Sequence, residues 1–178
     1  MTSSVNIEKI RNQIKEMIAD TGREILREFE NEDYWILTIK HGSYIVNLIH
    51  PKRSKYMVVE FPFRIDDEKV LAIIKNILQD PVKGGQFFFS LKSAISSPTT
   101  AYRLHHAQDG AFMGFSILKR IFPFHGNFTI RDLDESIQAV VSIGVLGSTF
   151  LSLIIGVKEL EQRIIEETQK PPPDGMYG

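Results

Sequence analysis

The chain contains no cysteine and a single tryptophan among its 178 residues. The absence of cysteine excludes disulfide bonds, a thiol nucleophile and any thiolate metal site, and it suits a reducing compartment. The net charge is −1 at pH 7, so the chain lacks the excess of lysine and arginine that marks a dedicated nucleic-acid-binding protein. The composition therefore favours a protein without a nucleic-acid partner.

Targeting and catalytic motifs are also missing. The N-terminal stretch has no uninterrupted apolar run, because charged residues within positions 8–16 break every candidate signal segment. There is no Gly-x-Ser-x-Gly nucleophile motif, no phosphate-binding loop and no dinucleotide fingerprint. We therefore expect a cytoplasmic protein, unless a later segment anchors it, with no catalytic residue and no cofactor.

The chain does contain enough apolar material for one core, with 43% hydrophobic and 24% charged residues. Isoleucines three and four residues apart predict a first helix that begins after Ser3 or Ser4 and stops near Gly22. Four segments rich in β-branched and aromatic residues then predict an antiparallel meander of three or four strands. They read EILREFE, YWILTIK, YIVNLIH and KYMVVEFPF. Their apolar residues alternate only weakly, so we expect both faces of the sheet to be partly covered.

The second half of the chain predicts more helices and one more strand pair. A helix over DDEKVLAIIKNILQD ends at Asp80-Pro81, because proline cannot continue the helical hydrogen bonds. QFFFSLKSAIS is interpreted as a short helix, although its three phenylalanines also suit a buried strand. Two strands around a turn at Asp109-Gly110 and a long apolar helix complete the chain.

The predicted fold is therefore α+β, an antiparallel sheet with helices packed on it in the order α-β-β-β-α-(α)-β-β-α. Residues 1–168 are expected to form one domain. Three prolines near the end predict a flexible tail over residues 169–178.

The motif Phe-Pro-Phe occurs twice, at positions 61–63 and 122–124. In both places it is predicted to end a strand and lead into an acidic helix start, because proline suits a strand end. A short internal repeat and two ordinary strand-to-helix corners both explain the similarity. At the second copy, Thr129 and Asp132 have the spacing of a helix-capping pair.

Residues 139–157 form a run of nineteen positions without charge. Its length approaches the roughly 20 residues that span a bilayer, so a membrane anchor is one interpretation. The flanks, however, have no clear basic cluster and no aromatic belt. A polar stripe also continues through the run when it is drawn as a helix. We therefore favour a helix of a soluble domain, with one side on the sheet.

The outward stripe of this helix is the candidate interface. It is formed by Ser142, Val145, Thr149, Ser152 and Gly156. Small side chains let two helix backbones approach closely, by analogy with helix pairs in membranes. The hypothesis is a homodimer through this stripe; the alternative is that these residues face water or a loop.

Histidine offers the main alternative chemistry. His105 and His106 are predicted to lie on one strand, so their side chains point to opposite faces and cannot share a metal ion. No metal site is predicted. A small enzyme with an unfamiliar site near His105, His106 and Arg103 stays open as an alternative. The loop at positions 51–55 is basic and is followed by Tyr56. We interpret it as a solvated loop, and a surface for single-stranded nucleic acid is the alternative.

The layout resembles the secretion-chaperone-type α+β fold of type III secretion chaperones and YbjN-like proteins. The resemblance depends on the first helix with YWILTIK and YIVNLIH, on VLAIIKNIL, and on the ending RIFPFHGNFTIRDLDESIQAVV. The chain is also similar to an uncharacterised archaeal family with the same ending. This resemblance implies a small homodimer that binds other polypeptides without catalysis. The leading expectation is thus a chaperone-like, cytoplasmic protein-binding module, with the enzyme and the membrane-anchored domain as alternatives.

Overall fold

In a computed structural model, the structure describes the backbone of residues 4–168 and the side chains of residues 7–156. Over these residues the chain forms six strands, four α-helices and one 3₁₀ turn. In chain order they are α1 (Ser4–Asp20), β1 (Glu24–Glu30), β2 (Tyr34–His41), β3 (Tyr44–Pro51), β4 (Met57–Arg64), α2 (Glu68–Gln79), α3 (Pro81–Ile95), β5 (Ala101–His106), β6 (Phe112–Ile121), the 3₁₀ turn (Pro123–His125) and α4 (Ile130–Thr168). The predicted tail over residues 169–178 lies outside the described residues.

The six strands form a single antiparallel sheet in the order β1-β2-β3-β4-β6-β5. The first four strands are the predicted meander, and the β5–β6 hairpin adds to it through pairing of β6 with β4. The α+β architecture is therefore confirmed. β1 and β5 are the edge strands.

All four helices pack on one face of this sheet, which we call the covered face. Its strand residues are almost fully buried: Trp35, Leu37, Ile39, Val46, Leu48, Met57, Val59, Phe61, Phe115 and Ile117 are each at most 3% exposed. The other face, which we call the open face, has no helix of the described chain over it. The expectation that both faces are partly covered is therefore wrong for this part of the chain.

Helix α4 lies across the centre of the covered face, as its inward apolar side predicts. Ile137, Val140, Val141 and Leu151 are buried. Gly144 contacts the ring of Phe61 so closely that a methyl group there would overlap it. The periodicity of α4 thus predicted the correct inward side, because residues three and four positions apart lie on the same face of a helix.

The start of α4 also follows the predicted capping pair. The backbone N–H of Thr129 donates to Asp132 Oδ2 over 2.8 Å, and the N–H of Asp132 donates to Thr129 Oγ1 over 3.2 Å. This exchange satisfies N–H groups that a helix start leaves without partners. The hydrogen bonds from Thr129 also hold the pKa of Asp132 below its ordinary value.

The segment that contains three phenylalanines is helical, which confirms its interpretation as a helix. α3 is longer than QFFFSLKSAIS alone, since it begins at Pro81. Asp80 ends α2 and caps α3, because its carboxylate accepts hydrogen bonds from the N–H groups of Val82 and Lys83. Proline suits the first turn of α3 because its missing N–H would have had no helical partner there.

The two Phe-Pro-Phe motifs are not equivalent in the structure, so the prediction that each of them ends a strand is wrong. Pro62 lies inside β4, opposite Ser116 of β6. On its other side the β3–β4 ladder stops at Glu60, so the N–H that proline lacks is not needed there. Pro123 instead begins a 3₁₀ turn after β6 has ended. The similarity belongs to the sequence and not to the backbone.

Candidate functional site

The open face carries a row of apolar side chains across four strands. Strand pairing places Phe29 opposite Ile36, Ile36 opposite Ile49, and Ile49 opposite Val58. Arg120 is paired with Val58 and ends the row on β6. Phe29 is 41% exposed, and the three aliphatic residues are partly exposed. These side chains add little to the core, so the row forms an apolar patch on the surface of the described chain.

A second row on the open face is polar and held by its own hydrogen bonds. Thr38 Oγ1 donates to Asn47 Oδ1 over 3.0 Å, and Asn47 Nδ2 donates to Glu60 Oε2 over 3.2 Å. The three residues lie side by side on β2, β3 and β4. The row therefore fixes the position of the Glu60 carboxylate beside the apolar row.

The two rows border a groove of about 670 Å³ on the open face, which we call the sheet groove. Its apolar floor includes Ile36, Ile49, Val58 and Leu118, and its open-face charged side chains are Arg103, Arg120 and Glu60. Lys119 also borders the groove, but it pairs with Val59 of the covered face. The guanidinium of Arg120 lies over the ring of Tyr56, 5.0 Å from its centre. Residues that are far apart in the sequence thus converge because β6 lies between β4 and β5.

The five candidate interface residues lie on the outward side of α4. Ser142, Thr149, Ser152 and Gly156 are exposed and Val145 is partly exposed. Two apolar side chains flank them, namely Leu146 at 56% exposure and Leu153 at 65%. Two exposed leucines beside a stripe of small residues resemble the surface that one helix presents to another in a helix pair.

Arg103, His105 and His106, the candidate residues for an enzyme site, do not come together in one site. His105 and Arg103 share the open face, and His105 Nε2 lies 2.7 Å from Ser116 Oγ. His106 points to the covered side, where it packs against Phe112. Ser116 is 1% exposed, and among the described residues no side chain makes a hydrogen bond to the other ring nitrogen of His105. The contact therefore joins two strands and lacks the orienting group of a catalytic triad.

Beneath α1 a cluster of ion pairs joins the helix to the sheet. Glu30 accepts from Lys52 over 2.9 Å and from Arg11 over 3.0 Å, while Lys15 lies 2.7 Å from Glu28. These contacts lower the pKa of Glu30, through Lys52 first and then Arg11. Lys15, and then the indole N–H of Trp35, lower the pKa of Glu28. The charges satisfy one another, so this cluster serves packing.

Two other histidines lie away from the open face. Burial lowers the pKa of His50, whose ring packs at a tilt against that of Phe124 with ring centres 4.9 Å apart. Burial, with the nearby Arg23 guanidinium, also lowers the pKa of His41. Over residues 7–156, no group of three or more His, Asp or Glu side chains is arranged to hold a metal ion.

Helix α4 is also the one helix of the described chain that is long and apolar enough to cross a membrane, over Ile130–Gly156 with a mean hydropathy of 2.1. Core helices of soluble proteins pass the same test. The inward side chains of α4 contact the sheet, as described above. The membrane-anchored alternative stays a prediction.

The chain is similar in structure to an uncharacterized protein from Methanothermobacter thermautotrophicus. The TM-score is 0.68 at 14% sequence identity, and the match covers 80% of this chain and 96% of that chain. No protein-family model and no curated protein matches the sequence. The expected likeness to an uncharacterised archaeal protein is thus supported for the fold alone. The likeness to secretion chaperones and YbjN-like proteins stays a prediction.

The sequence interpretation missed the sheet groove, although part of its signal was present. Trp35, Leu37 and Ile39 alternate with Ile36, so β2 has apolar residues of both parities. Such a strand is normally buried on both faces. When the helices cover only one face of the sheet, the apolar residues that point to the other face stay exposed. Apolar residues at both odd and even positions of β2 are therefore the signal for the groove.

Proposed function

We propose that this protein is a non-catalytic, homodimeric module that binds other polypeptides through the open face of its sheet. The observation that carries the proposal is the apolar row of Phe29, Ile36, Ile49 and Val58, which no helix of the described chain covers. A partly exposed apolar floor with a polar border is the usual composition of a protein-binding surface. The resemblance to secretion chaperones points the same way.

The dimer is the second part of the proposal, and the outward stripe of α4 supports it. Ser142, Val145, Thr149, Ser152 and Gly156 follow one another at steps of three and four residues. This spacing is that of a seam between two helices. The dimer would leave the open face of each protomer free, since α4 lies on the opposite side of the sheet.

Polypeptide binding is tested by aggregation of the insulin B chain, followed by light scattering after reduction with dithiothreitol. The chain has no cysteine, so the reductant leaves it unchanged. We expect the wild type to suppress aggregation and Val58→Lys to lose that activity, because a lysine breaks the apolar row. The matched control is Val82→Lys on α3, where Val82 is 69% exposed. A wild type that leaves aggregation unchanged contradicts the proposed function.

The dimer is tested by light scattering coupled to size-exclusion chromatography, without detergent. Ser152→Glu places two like charges in the proposed seam, so we expect it to give a monomer from a wild-type dimer. Ser93→Glu is the matched control, because Ser93 is exposed on α3. A wild-type monomer at micromolar concentration rules the dimer out, and a protein that needs detergent for extraction favours the membrane-anchored alternative.

A hydrolase is the second candidate function, and one contact favours it. His105 Nε2 and Ser116 Oγ are 2.7 Å apart, as a base and a nucleophile would be. Covalent labelling of Ser116 by a fluorophosphonate, lost in His105→Gln, would support this candidate over the binding module. We expect no labelling, because Ser116 is almost fully buried.

A further inference from the structure

We infer that the partner which the open face holds is an extended polypeptide segment that combines apolar with acidic side chains. This inference rests on the proposed function and names the chemistry of its partner. The observation behind it is the charge of the sheet groove. Its lining carries two open-face cations, Arg103 and Arg120, and one carboxylate, Glu60. The whole chain has a net charge of −1, so the groove differs in sign from the rest of the molecule.

Neither arginine has an acidic partner in the described part of the chain. The ion pairs there join other residues, mostly beneath α1 and at helix ends. The one carboxylate of the groove accepts a hydrogen bond from Asn47. Unpaired cations beside an apolar floor favour a partner that supplies carboxylates, because opposite charges attract each other across the interface.

The position of the cations also matters for the partner. Arg120 lies at the end of the apolar row, next to Val58, and Arg103 lies on the edge strand β5. Neighbouring strands are about 4.8 Å apart, so the row from Phe29 on β1 to Arg120 on β6 spans about 19 Å. A segment of about six extended residues covers that distance. It would place apolar side chains on the floor and a carboxylate at the arginine end.

The shape of the floor favours a polypeptide over single-stranded nucleic acid. Bases are held by flat aromatic surfaces on which they stack. The floor is instead built mostly from branched aliphatic side chains, namely Ile36, Ile49, Val58 and Leu118, although Tyr34 and Tyr56 also line the groove. The Tyr56 ring, which could act as a platform, already has the Arg120 guanidinium over it.

The experiment compares three labelled twelve-residue peptides by fluorescence anisotropy, (Leu-Glu-Ser)₄, (Leu-Gln-Ser)₄ and (Leu-Lys-Ser)₄, together with a dT₁₂ oligonucleotide. At low salt we expect the acidic peptide to bind about tenfold more tightly than the basic one, from ion pairs with the two arginines and repulsion of the basic peptide. The difference should shrink as sodium chloride shortens the range of the attraction. Arg103→Glu should remove most of the preference for the acidic peptide.

Arg131→Glu is the matched control, since Arg131 is an exposed arginine on α4, away from the open face. It makes the same change in net charge and should leave the preference intact. Arg120→Gln is a second variant that removes the other arginine, and its circular dichroism shows whether the sheet is retained.

The outcomes separate this inference from the proposed function. If all three peptides bind equally and Val58→Lys weakens them all, the open face binds polypeptides but does not select acidic ones, and this inference is wrong. If dT₁₂ binds more tightly than the acidic peptide and displaces it, the groove is a nucleic-acid surface. If no peptide binds, the proposed function itself fails.

Discussion

The two faces of the sheet differ although the same strands build them. On β2, Leu37 faces the helices and is fully buried, whereas its neighbour Ile36 faces away and is partly exposed. Helix α4 alone covers the centre of one face, and Gly144 allows it to approach Phe61 closely. The open face keeps comparable aliphatic side chains, and no helix within residues 4–168 lies over them. Apolar character therefore has two uses in this molecule, which are core formation and, as we propose, partner binding.

The largest expected effect separates these two uses on a single strand. Leu37→Ala should lower the free energy of unfolding by about 2–5 kcal/mol, because it leaves a cavity in a closed core. Ile36→Ala should cost less, about 1 kcal/mol, since the Ile36 side chain is partly exposed. Urea unfolding of both variants measures the difference. Equal losses would mean that the open face is covered in solution.

A smaller effect tests how closely α4 approaches the covered face. Gly144→Ala should lower the free energy of unfolding by about 1–3 kcal/mol, because the new methyl group overlaps the Phe61 ring. Gly85→Ala is the control, because Gly85 is exposed on α3 and a methyl group there meets open space. It should stabilise by up to about 1 kcal/mol through helix propensity. Thermal unfolding followed by circular dichroism compares them, and a neutral Gly144→Ala would contradict the close packing.

The smallest effect concerns pH and the buried histidine of the covered face. Burial lowers the pKa of His50 from its ordinary value of 6.5, so the unfolded chain takes up a proton at higher pH than the folded one. Stability is therefore lost as pH falls below about 6.5, at no more than about 1.4 kcal/mol per pH unit. His41 adds a change of the same sign.

Urea unfolding at pH 7.5 and pH 5.5 measures this loss, and His50→Gln should reduce it. Glu28 and Glu30 interfere little in this window, since the pKa of each is lowered from 4.5 and their stabilisation is lost only at more acidic pH. An unchanged pH dependence in His50→Gln would show that His50 keeps its ordinary pKa in the folded protein.

Local patterns predicted the elements of this protein well. The first helix, the strands of the meander, the β5–β6 hairpin and the helix over QFFFSLKSAIS all appear in the structure. Two features of α4 were also correct, namely the capping pair at Thr129 and its inward side. Each of these depends on residues that are close together in the sequence, so periodicity and capping chemistry are enough to find them.

The repeat and the coverage of the sheet were predicted wrongly for a common reason. Whether Pro62 ends a strand depends on where the β3–β4 ladder stops and on the pairing of β4 with β6. Whether Ile49 is covered depends on which side of the sheet every helix takes. Neither property is encoded in a short window of residues.

The sequence by itself thus determined the type and order of the elements and which side of α4 faces inward. Only the tertiary structure decided that one face of the sheet stays open and that Arg103, Arg120 and Tyr56 meet in one groove. The physical reason is that strand order and register are set by hydrogen bonds between distant segments. The sheet groove exists because β6 pairs with both β4 and β5.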